Sequence, residues 1–290
     1  MKKSVYLYIL ISAFCFGTME VALKLADASL DPFQITFLRF LIGGIVLIIP
    51  SVLERRGQPK IAMKDIIYVA MLGILNVDIC MLFFQFGIMH ANAATAAVIF
   101  SCNPIFTILL SHFLMKDDKL NTKKVCAICF GALGTIFMIR PWNIQPGNTV
   151  LGAVLMVIAA FLFGLYGILG KKTVSRVGTF TQTCLSFLIG SAVMLVYMLI
   201  VGRPIVLGIS DNISVLLYVS VIVTGCGYLT YFLAIKHASP STASLVFFLK
   251  PVIAPVAAFI VLREVITYNM YIGIALILVG SGMILLHTRS

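Results

Sequence analysis

Charge is what this sequence has least of. Asp, Glu, Lys and Arg together make up 11% of its 290 residues, against 61% hydrophobic residues. Soluble domains carry about 25% charged residues, and an aqueous core of this size could not hide so much apolar surface. Acids are the scarcer sign, 10 against 21 bases, so the net charge is +11. A basic balance can mark a nucleic-acid binder. Here the Lys and Arg residues form no patch; they fall in short clusters between apolar runs, as membrane topology requires. The signatures of catalysis are missing too. The sequence has no HExxH, GxSxG or Walker loop and no His, Cys and Asp grouping with metal-ligand spacing. Its connecting stretches are too short for a catalytic domain or an ATP-driven motor, so neither enzyme activity nor a cofactor or metal is expected.

Cysteine gives no redox framework. Cys15, Cys80, Cys102, Cys126, Cys129, Cys184 and Cys226 all lie inside apolar runs. The Cys126–Cys129 pair lacks partner ligands and reads as small hydrophobes within a helix. Lys2-Lys3 before an apolar stretch, with Ala26-Asp27-Ala28 after it, imitates a signal peptide. The run is longer than the roughly 7–15 residues of a signal core and is expected to stay as a first helix.

What the chain has is spanning length. Apolar runs near 4–24, 33–53, 65–88, 91–115, 124–140, 149–171, 179–201, 213–235, 240–262 and 270–287 predict ten transmembrane helices. With a cytoplasmic amino terminus, the inner loops hold fifteen bases: Lys2, Lys3, Arg55, Arg56, Lys60, Lys64, Lys116, Lys119, Lys123, Lys124, Lys171, Lys172, Arg176, Lys236 and Arg289. The outer loops hold four, Lys24, Arg140, Arg203 and Arg263, and Arg39 and Lys250 fall within spans. Cytoplasmic loops favour Lys and Arg, so both termini are expected in the cytoplasm of a multi-pass protein of the cell membrane.

A shift of 147 residues matches the chain to itself. Phe33, Thr36, Leu38, Phe40, Leu41, Ile42 and Gly43 meet identical residues at Phe180, Thr183, Leu185, Phe187, Leu188, Ile189 and Gly190. Phe16-Gly17 meets Phe163-Gly164, Lys24 meets Lys171, His90-Ala91 meets His237-Ala238, and Pro104 meets Pro251. Residues 1–143 and 148–290 therefore read as two five-helix repeats. Five is odd, so the second copy enters the membrane inverted, a plan of secondary transporters that bind substrate near the midplane.

The order of these motifs resembles the drug/metabolite transporter superfamily, of the EamA type, over essentially the whole chain. The carriers are Phe16-Gly17 with Lys24, Arg39-Phe40, and the stretch 91–120 with its copy 238–267. In both copies small residues lead to a mid-helix Pro and a charged exit, Lys116-Asp117 and Arg263-Glu264. The resemblance implies ten helices, cytoplasmic termini, a central cavity lined by helices 1, 3, 4, 6, 8 and 9, and export or exchange of metabolites. Two positions depart from the pattern. Lys250 stands where relatives often carry an acid, and Asp117 where they often carry Glu.

Ionisable groups inside a span cost about 2.5–3.5 kcal/mol on insertion scales and are usually functional or paired. Asp78 and Lys250, both near mid-span, are expected to pair with each other or to anchor a substrate. Glu20 and Lys24 are spaced to share a helix face; with Arg39 they read as an outer ion cluster, a gate or a proton site. Pro104 and Pro251 free the carbonyls of Phe100 and Phe247 and are expected to break their helices. Asn103, Gln85, Tyr166, Tyr228 and Tyr231 are the polar cavity-lining candidates, each equally readable as packing. A solute with an amine and a carboxylate would satisfy Asp78 and Lys250 together, so the expectation is an exporter or exchanger of an amino acid or similar zwitterion. A flippase for a lipid-linked substrate, or an exporter of phosphorylated or nucleoside-type metabolites or drugs, is the alternative. The expected partners are that solute, the bilayer and a proton as coupling ion; a monomer suffices and a dimer is allowed.

Overall fold

Lipid offers the backbone no hydrogen-bond partner, so spanning segments close their bonds within helices. The computed structural model describes residues 3–26, 30–139 and 146–287, and these residues form ten helical passes. They are α1 (Ser4–Leu25), α2 (Pro32–Val46 and Ile48–Arg55, bent by 42°), α3 (Met63–Met89), α4 (Ala93–Leu114), α5 (Thr122–Ile139), α6 (Val150–Val177), α7 (Thr179–Val201), α8 (Ile209–His237), α9 (Pro240–Leu262) and α10 (Tyr268–His287). Each stands where an apolar run predicted it. Lys2, Asp27, Ala28, Arg140 and Arg289, used in the sequence reading, lie outside the described residues.

The two repeats interleave. α1 packs on α8 and α9 as its counterpart α6 packs on α3 and α4, while α2 lies against α7 and α5 against α10. Close crossings are made by glycine. A methyl group added at Gly73 of α3 would stand 2.3 Å from the Ser186 carbonyl oxygen on α7. The same crossing meets Gly190, whose added methyl would lie 2.9 Å from the Gly73 carbonyl oxygen. Small residues let helix backbones approach in lipid, where dispersion and not hydrophobic exclusion drives association.

Besides the bent α2, five helices are irregular inside the bundle. α1 breaks at Thr18, α4 at Ser101–Cys102 and α9 at Ser244–Leu245. α3 and α8 carry π-helical stretches, Ile74–Cys80 and Tyr218–Gly227. Residues 221–227 are the images of 74–80 under the 147-residue shift, so this irregularity belongs to the repeat. The helix breaks expected at the prolines fall elsewhere. Pro104 sits in the first turn after the Ser101–Cys102 break. α9 runs straight through Pro251 and Pro255 and breaks instead at the Ser-rich turn before them. There Ser244 Oγ donates to the Ser241 carbonyl and Thr242 N to Ser239 Oγ, giving the chain an alternative to regular helix bonds.

The Gly73 crossing sets a test of the packing. Gly73→Ala should destabilise the detergent-purified protein by about 1–3 kcal/mol, the usual cost of overpacking. Gly225→Ala, whose methyl would make only an ordinary 3.5 Å contact, should leave the melting temperature nearly unchanged. Equal melting temperatures for the two variants would contradict the close approach of α3 and α7.

Candidate substrate site

The irregular helices surround a small ionic group. Lys250 of α9 donates a hydrogen bond to Glu20 Oε1 of α1, and both side chains are fully buried. Arg39 of α2 is fully buried beside them, close enough for its charge to act on both. Aromatic faces complete the enclosure. The Arg39 guanidinium lies 4.9 Å from the ring centre of Phe40 and 6.0 Å from that of Phe84. The Lys250 ammonium lies 5.6 Å from Phe84 and 4.6 Å from Phe100. Phe84 thus presents its ring to both cations, and such contacts strengthen when water is excluded. Glu20 and Arg39 come from the first repeat and Lys250 from the second, so the ionic contact crosses the interface between repeats.

Tyr228 of α8 joins this group to an aromatic cluster. Its ring centre is 5.6 Å from Phe40, 5.3 Å from Phe16 and 5.5 Å from Phe163. Tyr166, Tyr231 and Phe247 pack into the same cluster. The three tyrosine hydroxyls differ in their partners. Tyr166 shares a 3.5 Å contact with Ser186 Oγ, Tyr228 donates to the Met81 sulfur at 3.3 Å, and the buried Tyr231 hydroxyl has no partner. Asn76, on the π-helical stretch of α3, is fully buried beside Tyr228, its amide outside good hydrogen-bond geometry.

Several expected roles are corrected by these positions. Asp78 does not pair with Lys250; Lys250 is bonded to Glu20, and one Asp78 oxygen is buried without a partner. Glu20 and Lys24 follow the Thr18 break in one helical segment and share its face, but only Glu20 reaches the buried ionic group. Lys24 is half-buried at the helix end beside Glu264. With Gln85 it lines a separate cavity of about 260 Å³ among α1, α2 and α3. Asn103 is engaged in packing: its amide donates to the Ala160 carbonyl at 2.8 Å and accepts from Thr107 at 3.1 Å.

Sequence reading missed the carboxylates that close the two ends. Arg263 has a left-handed backbone (φ 58°), and this turn aims Glu264 back at the start of α4. Its two oxygens accept the Ala93 and Ala94 amides at 3.0 and 3.1 Å. At the other end Asp118, and not Asp117, accepts the Ser241 amide of α9 at 3.1 Å and pairs with Lys124 at 2.5 Å. Burial pushes the Asp118 carboxyl up, but the bonds from Lys124 and Ser241 outweigh it and hold it below its usual value. Glu54 likewise receives the Thr179 and Thr181 amides at the start of α7. Each carboxylate satisfies orphan amides of a helix N-terminus and complements its dipole, and each does so across the two repeats. The charged exits were visible in the sequence; that Glu264 and Asp118, the neighbour of Asp117, cap the opposite copy was not.

A family model described as the EamA-like transporter family matches residues 3–140 and 150–286, one match for each repeat. An uncharacterized transporter from Clostridium kluyveri is 35% identical over 289 residues, covering 97% of this chain and 92% of that protein. The uncharacterized transporter YyaM of Bacillus subtilis is 24% identical, over 96% of this chain and 93% of its own. A solved crystal structure superposes with a TM-score of 0.78 at 19% identity, covering the whole chain and 99% of its counterpart; at that identity the likeness is one of fold.

The charges at the site order the stability of two variants. Glu20→Gln leaves Lys250 and Arg39 buried together without an acid, and removing one partner of a buried pair costs about 3–5 kcal/mol. Lys250→Met leaves Glu20 beside Arg39, one charge of each sign, and should melt far closer to the wild type. Thermal unfolding in detergent checks the order, and the reverse order would refute the assignment of Arg39 to this cluster.

Proposed function

The chain belongs to the EamA-like transporter family, and on that premise we propose that this membrane transporter moves a small polar organic metabolite by alternating access. The observation that carries the reading is the Glu20–Lys250 contact, with Arg39 beside it, buried at the seam between two inverted repeats. Charges in lipid are expensive and are kept where they serve substrates or ions. A seam between related halves is where rocking exposes a site to one side and then to the other. The Asp118 and Glu264 caps suit the same cycle. Opening an end would let a helix N-terminus exchange a carboxylate for water.

The preferred solute remains an amino acid or similar zwitterion, moved by export or exchange, with a proton as coupling ion at Glu20 or Asp78. Lys250 holds the anionic group of the solute when Glu20 releases it. The rival reading, movement of an amphiphile, draws on a mostly apolar cavity of about 300 Å³ lined by residues of α1, α8 and α9, including Thr18, Val21, Tyr218 and Val261. The protein is placed in the cell membrane with the Lys-rich end, where Arg55, Lys64, Lys119 and Lys236 gather, in the cytoplasm.

Transport is tested with the full chain in proteoliposomes, offered amino acids, polyamines, nucleosides, phosphorylated metabolites and a fluorescent lipid, with and without a pH gradient. Saturable uptake of an amino acid that disappears in Lys250→Met is the expected result. Unchanged uptake in that variant would leave the ion pair structural, and movement of the lipid alone would favour the rival.

Orientation is tested by single cysteines in a cysteine-free background of intact cells. An impermeant maleimide should label positions 206 and 265, whose present side chains are 75% and 79% exposed, and should spare positions 58 and 121. Labelling at 58 would overturn the orientation.

A further inference from the structure

Among the described residues, Arg39 holds a positive charge with no counter-charge of its own. The Glu20–Lys250 contact sums to zero whichever partner holds the shared proton. A guanidinium keeps its proton in proteins, so one positive charge remains, fully buried. The acids of the helix ends are engaged elsewhere: Asp31 with Arg203, Asp65 with Arg176, Asp118 with Lys124, and Glu54 and Glu264 with backbone amides. Asp78, on α3, forms no ion pair with Arg39 or Lys250 among the described residues.

The bonds of the guanidinium are just as incomplete. Nη1 reaches only the Met19 sulfur, at 3.5 Å. Nε and Nη2 are buried with no acceptor. These two nitrogens form one edge of the guanidinium, the edge that offers parallel N–H bonds to the two oxygens of a carboxylate. Buried polar groups are almost always bonded, and an unpaired buried charge is costlier still. A protein that keeps both in its centre holds them for a ligand.

We infer that Arg39 is the receptor for a single carboxylate, which docks on its Nε–Nη2 edge while Lys250 stays with Glu20 or turns to the same group. The site therefore selects monocarboxylates. One carboxylate answers the Arg39 charge, with a zwitterion's ammonium left to an acid outside the cluster such as Asp78, whereas a phosphate monoester dianion would bury a surplus negative charge. This inference rests on the transport reading above and deepens it by naming the class of solute.

The test uses purified full-length protein, with ligand-induced shifts in melting temperature as the readout. The probes are the common amino acids, a set of 2-oxo acids, the amino-acid amides matched to each acid, and glycerol phosphate. At least one monocarboxylate should stabilise the wild type, and its matched amide should bind at least tenfold more weakly. Arg39→Gln and Arg39→Met should each raise the melting temperature of the empty protein, because they remove an uncompensated charge and leave a neutral pair. Both should weaken the acid at least tenfold. Arg39→Lys, which keeps the charge and loses the fork, should weaken it as well. A structural arginine would behave oppositely: both neutral variants would melt lower, or fail to fold, and any ligand affinity would survive in those that fold. That result overturns the inference, as does tighter binding of the amides or glycerol phosphate, or the absence of any carboxylate effect. Transport of the same panel separates the two readings. Carboxylate binding without movement refutes transport and leaves the anion site standing. Movement of an uncharged solute untouched by Arg39→Gln refutes the anion site and leaves transport standing.

Discussion

Hydrocarbon tolerates a charge only when the protein itself answers it, and in this molecule the answer is the bond between Glu20 and Lys250. That contact joins α1 to α9, and so one repeat to the other. Its Glu20 lies in the helical segment that follows the Thr18 break, and its Lys250 ammonium lies over the rings of Phe84 and Phe100. The nearby departures from regular helix follow the same constraint. Irregular backbone survives at membrane depth where protein or a cavity satisfies it, and π-helical stretches are frequent at functional sites.

The ends of the bundle obey a second requirement, that the first amides of each helix find acceptors. Glu54, Asp118 and Glu264 supply them, each from the opposite repeat. The fold is thus tied by one ionic contact in the middle and by carboxylate caps at both ends. Between these ties lie close glycine crossings and aromatic packing, contacts that can slide or re-form without exposing a charge.

Much of this was legible in the sequence because lipid imposes simple rules. Ten apolar runs gave ten helices, and a constant 147-residue offset gave the inverted duplication. The short roster of intramembrane ions included all three members of the buried cluster. Pairing was not legible. Counting along helices puts Asp78 and Lys250 at similar depth, but depth does not say which helices touch, and α1 rather than α3 brings its acid to Lys250. The Thr18 break just before Glu20 has no proline to announce it. Pro251, which does announce a break, lies in unbroken helix. Asp117 and Asp118 are adjacent in sequence, and only the turn geometry after α4 decides which one faces Ser241.

Duplication of a sequence makes the two faces of a membrane protein energetically equivalent unless later substitutions distinguish them. Here the caps differ. Glu264 gives both oxygens to α4, while Asp118 gives one to α9 and the other to Lys124. In this chain the copies have diverged at their ties: an aspartate that serves a backbone amide and a lysine answers a glutamate that serves two backbone amides, so the corresponding ends of the two repeats are fastened by different chemistry.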